Sequence, residues 1–307
     1  MRSGSIEFDV TTSDEGRRVD AFVAASVGCG RARARELLAL GAVMLDGRTL
    51  EPSDKGRKLA AGQTLTVSAR VDDPDHVVPA PELPLEVLGE GEGWIAVAKP
   101  AGVAVHPLRA GETGTLLQRL AARRPEVIGI GEGGRRSGVV HRLDVDTSGV
   151  QLFATDAPTH RRLRSAFSGH AIDKVYRAVV VGAIEEHGHA EVDLLVGRHR
   201  PARVDVYPAG TGPRGSRTCS TRWRRLESFD GACLVEARPR SGFLHQIRAT
   251  LADQGHPILG DPVYGPDGAD RAPRQMLHAS ALRVGAIDVT APDPEDFAEA
   301  LRRLRGT

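Results

Sequence analysis

Residues 70–84, RVDDPDHVVPAPELP, carry four prolines, four acids and no helical or strand periodicity, the composition of a linker rather than a packed element. That stretch constrains the fold most, because it divides the 307-residue chain into a small module before it and a larger domain after it. The length suits two domains. The expected boundaries are a module over residues 15–70, a linker over 71–84, a larger domain over 85–290 and a closing helix over 293–305.

In the first module, Asp20-Ala-Phe-Val opens a short helix. A second starts at Arg31 and places Ala34, Leu37, Leu38 and Gly41 on one face, with Gly41 suited to a left-handed C-terminal cap. Asp46-Gly47 between residues 43–45 and 48–50 signals a hairpin, and Gly62 with residues 64–68 closes the unit. Arg31 and Arg35 share a helix face with Arg33 on its flank, a row suited to phosphate contacts. The order RVDAFV, RARARELLALGAVMLDGRTL, GQTLTV resembles the S-four-type RNA-binding domain. Asp46 stands where that family writes asparagine, and the turn tolerates either.

After the linker, strands are expected at 94–98, 150–155, 175–181, 203–207, 220–227, 233–238 and 277–284. Helices are expected at 115–123, at 158–168 with Asp156 as cap and Gly169 as stop, and at 244–254. The closing helix has Asp293 as cap, Pro294 in its first turn and arginines at its end. Strands outnumber helices without a βαβ rhythm. The fold class is therefore α+β: a mixed, largely antiparallel sheet with flanking helices, preceded by the small helix-and-hairpin module.

Net charge is only +1, but its distribution is uneven. Residues 71–93 hold seven acids and no Lys or Arg, whereas residues 198–225 hold eight arginines against Asp205 alone. Clustered arginine fits a polyanion partner, and the basic segments 119–142 and 198–225 are expected to flank a cleft. The chain has only four lysines, Lys55, Lys58, Lys99 and Lys174. Where nearly every cation is arginine, a lysine points to a need for a compact ammonium. Three widely spaced cysteines make neither a disulfide framework nor a zinc site. No apolar run approaches membrane-spanning length, and the N-terminus lacks an apolar leader segment. A cytoplasmic protein is expected.

The segment 138–154, GVVHRLDVDTSGVQLFA, poses the chemical question. Asp144 and Asp146 could hold a divalent ion, but that ion wants more oxygen ligands, Arg142 opposes a cation, and no phosphate-cradling glycine loop accompanies the pair. A nucleophilic Asp144 needs a cation close by: at about 4 Å an arginine contributes roughly 4 kcal/mol for an effective dielectric of about 20. Arg142, if extended, points to the same side as Asp144, while Thr147 and Ser148 can pin the loop by hydroxyl bonds to its backbone and Gly149 frees the chain before the strand. From these residues alone an Asp-rich turn stays equally open. His187-Gly-His189 has no third ligand and is expected in a loop, so no metal is expected.

HRLDVDTSGV resembles the HRLD-x-x-TSG motif of the RluA-type pseudouridine synthases. Further motifs match in that family's order: Lys99-Pro-Ala-Gly-Val-Ala-Val-His106, Lys174-Val-Tyr176, Arg240-Ser-Gly-Phe-Leu-His245-Gln-Ile247-Arg248, Gly260-Asp-Pro-Val-Tyr-Gly265 and Leu277-His-Ala. The resemblance spans roughly residues 90–284, and the S-four-type module is a common companion. It implies a cofactor-free isomerase that turns uridine into pseudouridine, in ribosomal more than in transfer RNA, acting as a monomer. Asp144 would be the nucleophile, on the sugar's anomeric carbon or on the uracil ring. Tyr176 would stack on the flipped uracil and is a candidate to take the proton from carbon five. Arg248 would pair with Asp144 and keep it charged, and Arg142 would fill the gap left by the extruded base. Lys99, Lys174, Arg240, His245 and Ile247 would contact substrate or RNA, as would Arg31, Arg33 and Arg35 in the first module. The family usually writes a second arginine and a threonine in the Arg240 motif, where Ser241, Phe243 and Leu244 stand, and asparagine where Ala98 stands. Those departures bear on the choice of RNA. Two rivals remain: a non-catalytic RNA-binding protein on the same fold, and a metal-dependent transferase built on Asp144 and Asp146.

Overall fold

Among the described residues of the first unit, Met1–His76, two short α-helices pack with a four-stranded antiparallel sheet. The structure is a computed structural model and describes residues 5–27, 30–39, 41–68, 77–109, 112–199, 202–266 and 272–306. The first unit runs β1 (Ser5–Asp9), α1 (Val19–Ser26), α2 (Arg31–Ala39), β2 (Val43–Leu45), β3 (Arg48–Thr49) and β4 (Thr64–Ser68), with sheet order β1-β4-β2-β3. Phe22 and Val23 of α1 and Leu37 and Leu38 of α2 pack with Leu45, Leu50 and Leu65 in one core, each such side chain contributing about 1.5–3 kcal/mol on burial. Asp46 and Gly47 both take positive φ, 51° and 79°, which is what a two-residue hairpin turn demands. The Asp46 carboxylate accepts from Thr64 N (2.8 Å) and Gln63 Nε2 (2.9 Å), so the aspartate also ties the turn to β4.

The second unit, Val77–Thr307, begins inside the stretch expected as linker. Residues 69–76 lie outside the described residues, but Val77 is buried in the core and Ala80 N–H donates to Gln118 O. Residues 77–84 thus pack on this domain rather than connect to it: their few apolar side chains find a surface, and their prolines need no donor partner.

Its elements are β5 (Val87–Gly91), β6 (Trp94–Lys99), α3 (Leu116–Arg123), β7 (Ser148–Ala154), α4 (Ala157–Ser168), β8 (Asp173–Val181), β9 (His187–His199) and β10 (Ala202–Pro208). There follow β11 (Arg217–Phe229), β12 (Ala232–Pro239), α5 (Gln246–Asp253), β13 (Leu277–Val284), β14 (Ile287–Thr290) and α6 (Glu295–Arg305). Among the described residues the sheet has ten strands in the order β10-β9-β11-β12-β8-β13-β7-β6-β5, with β14 on β13. Every pairing is antiparallel except the short β13–β7 contact, His278 with Ser148 and Ala279 with Gly149. Gly149 has φ +119°, and a Cβ there would lie 2.2 Å from Ala279 O. Only glycine lets the two backbones meet. The mixed α+β class is the one expected.

Asp156 caps α4 by accepting from Thr159 N at 2.7 Å. Three local expectations are corrected. Asp293 does not cap α6; its N-cap is Pro294, and the Asp293 carboxylate pairs with Arg177 instead. The helix expected from residue 244 starts at Gln246, because His245 takes a left-handed conformation. His187 and His189 lie on β9, not in a loop: Ala190, Val192 and Leu194 alternate into the core and draw the preceding residues into the strand. Among the described residues no helix is long and apolar enough to cross a membrane.

Candidate active site

Asp144 sits on the irregular run 141–147 that leads into β7, and the surrounding sheet holds that run at several points. Lys99, at the end of β6, is 1% exposed, and its Nζ donates to three carbonyls: Pro100 (2.9 Å), Val103 (2.6 Å) and Val145 (2.6 Å). From the other side Arg274 Nη1 donates to Asp146 O at 3.0 Å and Nη2 to Ser148 Oγ at 3.2 Å, while Asp296 of α6 grips the same guanidinium. The hydroxyls of Thr147 and Ser148 reach Gln275 and His278, not the loop backbone as expected. The backbone is held by Lys99 and Arg274. The carbonyls of Val145 and Asp146 are on consecutive residues of a tight turn, and long cationic donors reach them from two sides.

The loop delivers Asp144 to Arg248. Arg248, on α5, is 4% exposed and donates from Nη1 to Asp144 Oδ2 at 3.1 Å. Its other edge makes a two-point bond to Asp261, Nε to Oδ2 at 2.7 Å and Nη2 to Oδ1 at 2.9 Å. Asp261 Oδ1 also accepts from Val263 N and Tyr264 N. Burial weakens the Arg248 charge, but Asp261 and then Asp144 outweigh it and push its pKa up, so the guanidinium is fixed as a cation. Burial acts upward on Asp261 as well, and the Arg248 bonds overcome it, holding that carboxyl below the usual range.

Tyr176 on β8 faces the same place. Ala279 pairs with Tyr176 on one side and with Gly149 on the other, which sets ring and loop at one level of the sheet. Burial, reinforced by the Asp144 charge, pushes the Tyr176 phenol up and keeps it protonated. It offers a ring face and a hydroxyl more readily than a base. Asp144, Tyr176, Arg248, His245, Ile247, Lys174 and Arg142 all line one cavity of about 730 Å³, a size that takes a nucleoside-sized ligand. Its wall also holds Arg136, Arg164 and Arg217 against two acids, Glu132 and Asp144. That excess of cation favours a polyanion.

Lys174 Nζ donates to Ser241 O, and burial lowers its pKa to about 8. Arg142 is exposed at the rim and makes no hydrogen bond or salt bridge among the described residues. Both basic segments reach the cavity only in part, through Arg136 and Arg142 and through Arg217. Arg224 and Arg225 turn to Glu236 and to Ile184 O. His141 accepts from Leu152 N and stacks on Phe167; burial, then the Lys174 charge, lowers it to about 3. Among the described residues no group of three or more His, Cys, Asp or Glu gathers that could hold a metal ion.

One expected contact fails. Lys99 cannot touch RNA, because it is enclosed and all three of its hydrogens have carbonyl acceptors. Lys99→Met should leave RNA affinity unchanged yet cost on the order of 3 kcal/mol in a urea melt, since the buried carbonyls lose their donor. Arg240 is exposed but does not line the cavity. In the first unit, Arg35 Nε donates to Asp20 at 3.0 Å and Arg33 reaches Glu36 at 3.5 Å, while Arg31 is exposed. Sequence reasoning assigned no role to Asp261, Tyr264 or Arg274. The motif Gly260–Gly265 was visible, and a buried arginine's need for a second carboxylate was the clue to Asp261.

Ser241, Phe243 and Leu244 shape the turn ahead of α5. Gln246 Oε1 accepts from Ser241 Oγ (2.7 Å) and Phe243 N (3.2 Å), and its Nε2 donates to Ser220 O (3.0 Å). Phe243 lines the cavity and packs with Leu244 against the cluster under β9 and β10.

The model of the family described as RNA pseudouridylate synthase matches residues 93–253. The chain is 34% identical to a ribosomal large subunit pseudouridine synthase D of Xanthomonas campestris, over 96% of this chain and 91% of that one. It is 32% identical to an uncharacterized RNA pseudouridine synthase, YlyB, of Bacillus subtilis, over 97% and 98% respectively. The solved structure of human RNA pseudouridylate synthase domain containing 4 superimposes with a TM-score of 0.59 at 22% identity, covering 72% of this chain and 93% of that one. This last likeness is one of fold.

Proposed function

The chain belongs to the RNA pseudouridylate synthase family, and on that footing we propose that it isomerises specific uridines of large-subunit ribosomal RNA, with Asp144 as nucleophile. The ribosomal assignment is supported by the naming of the Xanthomonas relative. The observation that carries the catalytic assignment is the Asp144–Arg248 pair in a cation-lined cavity beside Tyr176.

In this reading the target uridine leaves its stack and enters the cavity, at a cost of a few kcal/mol that is smallest for unpaired bases. Arg142 at the rim occupies the gap left behind. A carboxylate oxygen of Asp144 forms a bond to the anomeric carbon or to carbon six of the uracil. The bond between nitrogen one and the sugar breaks, the ring turns, and carbon five bonds to the sugar. If Asp144 holds the anomeric carbon, carbon five displaces it as the new bond forms; if it holds carbon six, it leaves as carbon five is deprotonated. In both cases the carbon-five proton passes to solvent and nitrogen one takes one up. Atoms and electrons balance without an oxidant, a reductant or a cofactor. Tyr176 stacks on the base; Lys174, His245 and Ile247 line its berth. Arg31 at the start of α2 and Arg35 on the same face carry backbone phosphate contacts in an S-four-type domain, with Arg33 on the flank. The enzyme acts as a cytoplasmic monomer.

Tritium release from transcripts labelled at carbon five of uridine tests the reading, with chelator present. Release from large-subunit ribosomal RNA at least tenfold faster than from transfer RNA is expected. Faster release from transfer RNA would overturn the ribosomal assignment, and no release from either would overturn the proposal.

A further inference from the structure

We propose that Tyr264 is a positioning residue that fixes His245 as its Nε2–H tautomer, so that His245 offers a neutral donor to a carbonyl oxygen of the base entering the cavity. The base-binding half of this inference rests on the reading above; the tautomer half does not.

The hydrogen count carries it. Tyr264 Oη accepts from Val204 N–H at 2.8 Å and lies 3.0 Å from His245 Nδ1. A phenol has one hydrogen to give, and the Val204 nitrogen has no lone pair to receive it. The remaining acceptor is Nδ1. Were Nδ1 protonated, the tyrosine oxygen would accept twice and its own hydrogen would have no acceptor among the described contacts. So Tyr264 donates to Nδ1, and the neutral imidazole carries its hydrogen on Nε2.

Several features hold this arrangement. The Tyr264 ring lies under two guanidinium groups, Arg248 at 5.4 Å and Arg203 at 5.6 Å, and stands edge-on to the His245 ring at 88°. His245 takes φ +52° and ψ +17° just ahead of α5, a left-handed conformation that non-glycine residues seldom adopt. Backbone strain of that kind persists where the surroundings overdetermine it and is common at functional sites. Burial also lowers the basicity of His245, in keeping with a neutral ring.

The Nε2 hydrogen is unspent. Its neighbour is Asp144 Oδ2 at 3.9 Å, beyond hydrogen-bond length, and the histidine lines the cavity. A largely enclosed donor of this kind calls for an acceptor. Uracil has two carbonyl oxygens, whereas cytosine replaces one with an amino group that cannot accept. A donor at the carbon-four oxygen thus discriminates between the two bases, whereas one at the carbon-two oxygen does not.

Nitrogen-resolved NMR of the full chain with labelled histidine reads the tautomer directly. At pH 7 His245 should show a protonated Nε2 and an unprotonated Nδ1, and Tyr264→Phe should mix the two tautomers. A protonated Nδ1 in the wild type, as imidazolium or as the other tautomer, overturns the proposal whether or not the protein turns over RNA. Single-turnover tritium release then reads the use of the donor. His245→Gln, which keeps an N–H at the Nε2 position, should stay within about tenfold of wild type. His245→Asn, which mimics the other nitrogen, should lose about 10²-fold, although asparagine suits the left-handed backbone better. Asparagine equal to or faster than glutamine would overturn the donor role.

Discussion

Asp144→Asn should abolish tritium release, by at least about 10⁴-fold, the scale on which loss of a nucleophile acts when catalytic groups work as a unit. Asparagine has nearly the same shape, and its amide oxygen can still accept from Arg248 Nη1, now 3.1 Å from Asp144 Oδ2. The Val145 and Asp146 carbonyls keep their Lys99 and Arg274 donors. The loop and the cavity therefore stay as they are, and RNA affinity should change less than about threefold, on the order of 0.6 kcal/mol. What disappears is the anionic oxygen able to form the covalent bond. Comparing single-turnover release with equilibrium binding on the same labelled transcript checks both halves. Residual release within tenfold of wild type would move the nucleophile elsewhere.

Arg248→Met should be damaging twice over, and the two kinds of damage can be separated. Arg248 lies between Asp144 and Asp261, and Asp261 is buried. Removing the cation leaves Asp261 with its Val263 and Tyr264 amides but no charge partner. Breaking one side of a buried pair costs roughly 3–5 kcal/mol. Asp261→Asn in the Arg248→Met background removes the stranded charge and should recover much of that loss in a urea melt, while catalysis stays absent. The pH dependence has a definite sign. In the wild type the Asp261 pKa is held down, so its contribution is present above the unfolded carboxyl range and fades only as pH falls through the lowered value. In Arg248→Met burial, the largest influence, is opposed only by the Val263 and Tyr264 amides and raises that pKa above its unfolded value. The folded variant then binds more protons than the unfolded one, and its stability rises as pH falls. The deficit between the two proteins should narrow from pH 7 to pH 5; a constant deficit would mean that Asp261 is not the stranded group.

Periodicity exposed much of the larger sheet, because strands such as residues 220–227 alternate covered and exposed side chains. Cap chemistry exposed α4, whose Asp156 and Gly169 are local signals. The candidate site was visible only through motif resemblance. Its partners are far apart in the chain: Asp144 and Arg248 are 104 residues from one another, and Arg274 is 128 residues from the carbonyl of Asp146 that it holds. No local propensity encodes such a pairing. Lys99 shows the reverse case, since its rarity marked it correctly as special. Rarity cannot tell an ammonium that meets phosphate from one that meets three carbonyls, and burial decided for the carbonyls. His245 shows a third case: helical periodicity places residues 244–254 in one helix, but the left-handed residue at its start depends on tertiary contacts.

The short parallel contact between β7 and β13 also sets a timetable. Among the described residues, β5, β6 and β7 meet the rest of the sheet through β13 alone. Asp144 belongs to the first bank and Tyr176 and Arg248 to the second, and the Arg274 clamp immediately precedes the joining strand. During translation all three side chains emerge well before residues 277–284. Until that strand leaves the ribosome, the two half-sheets lack the hydrogen-bonded strand that joins them. The cavity is thereby a late product of synthesis, since the strand that closes its two banks comes after all three of those side chains.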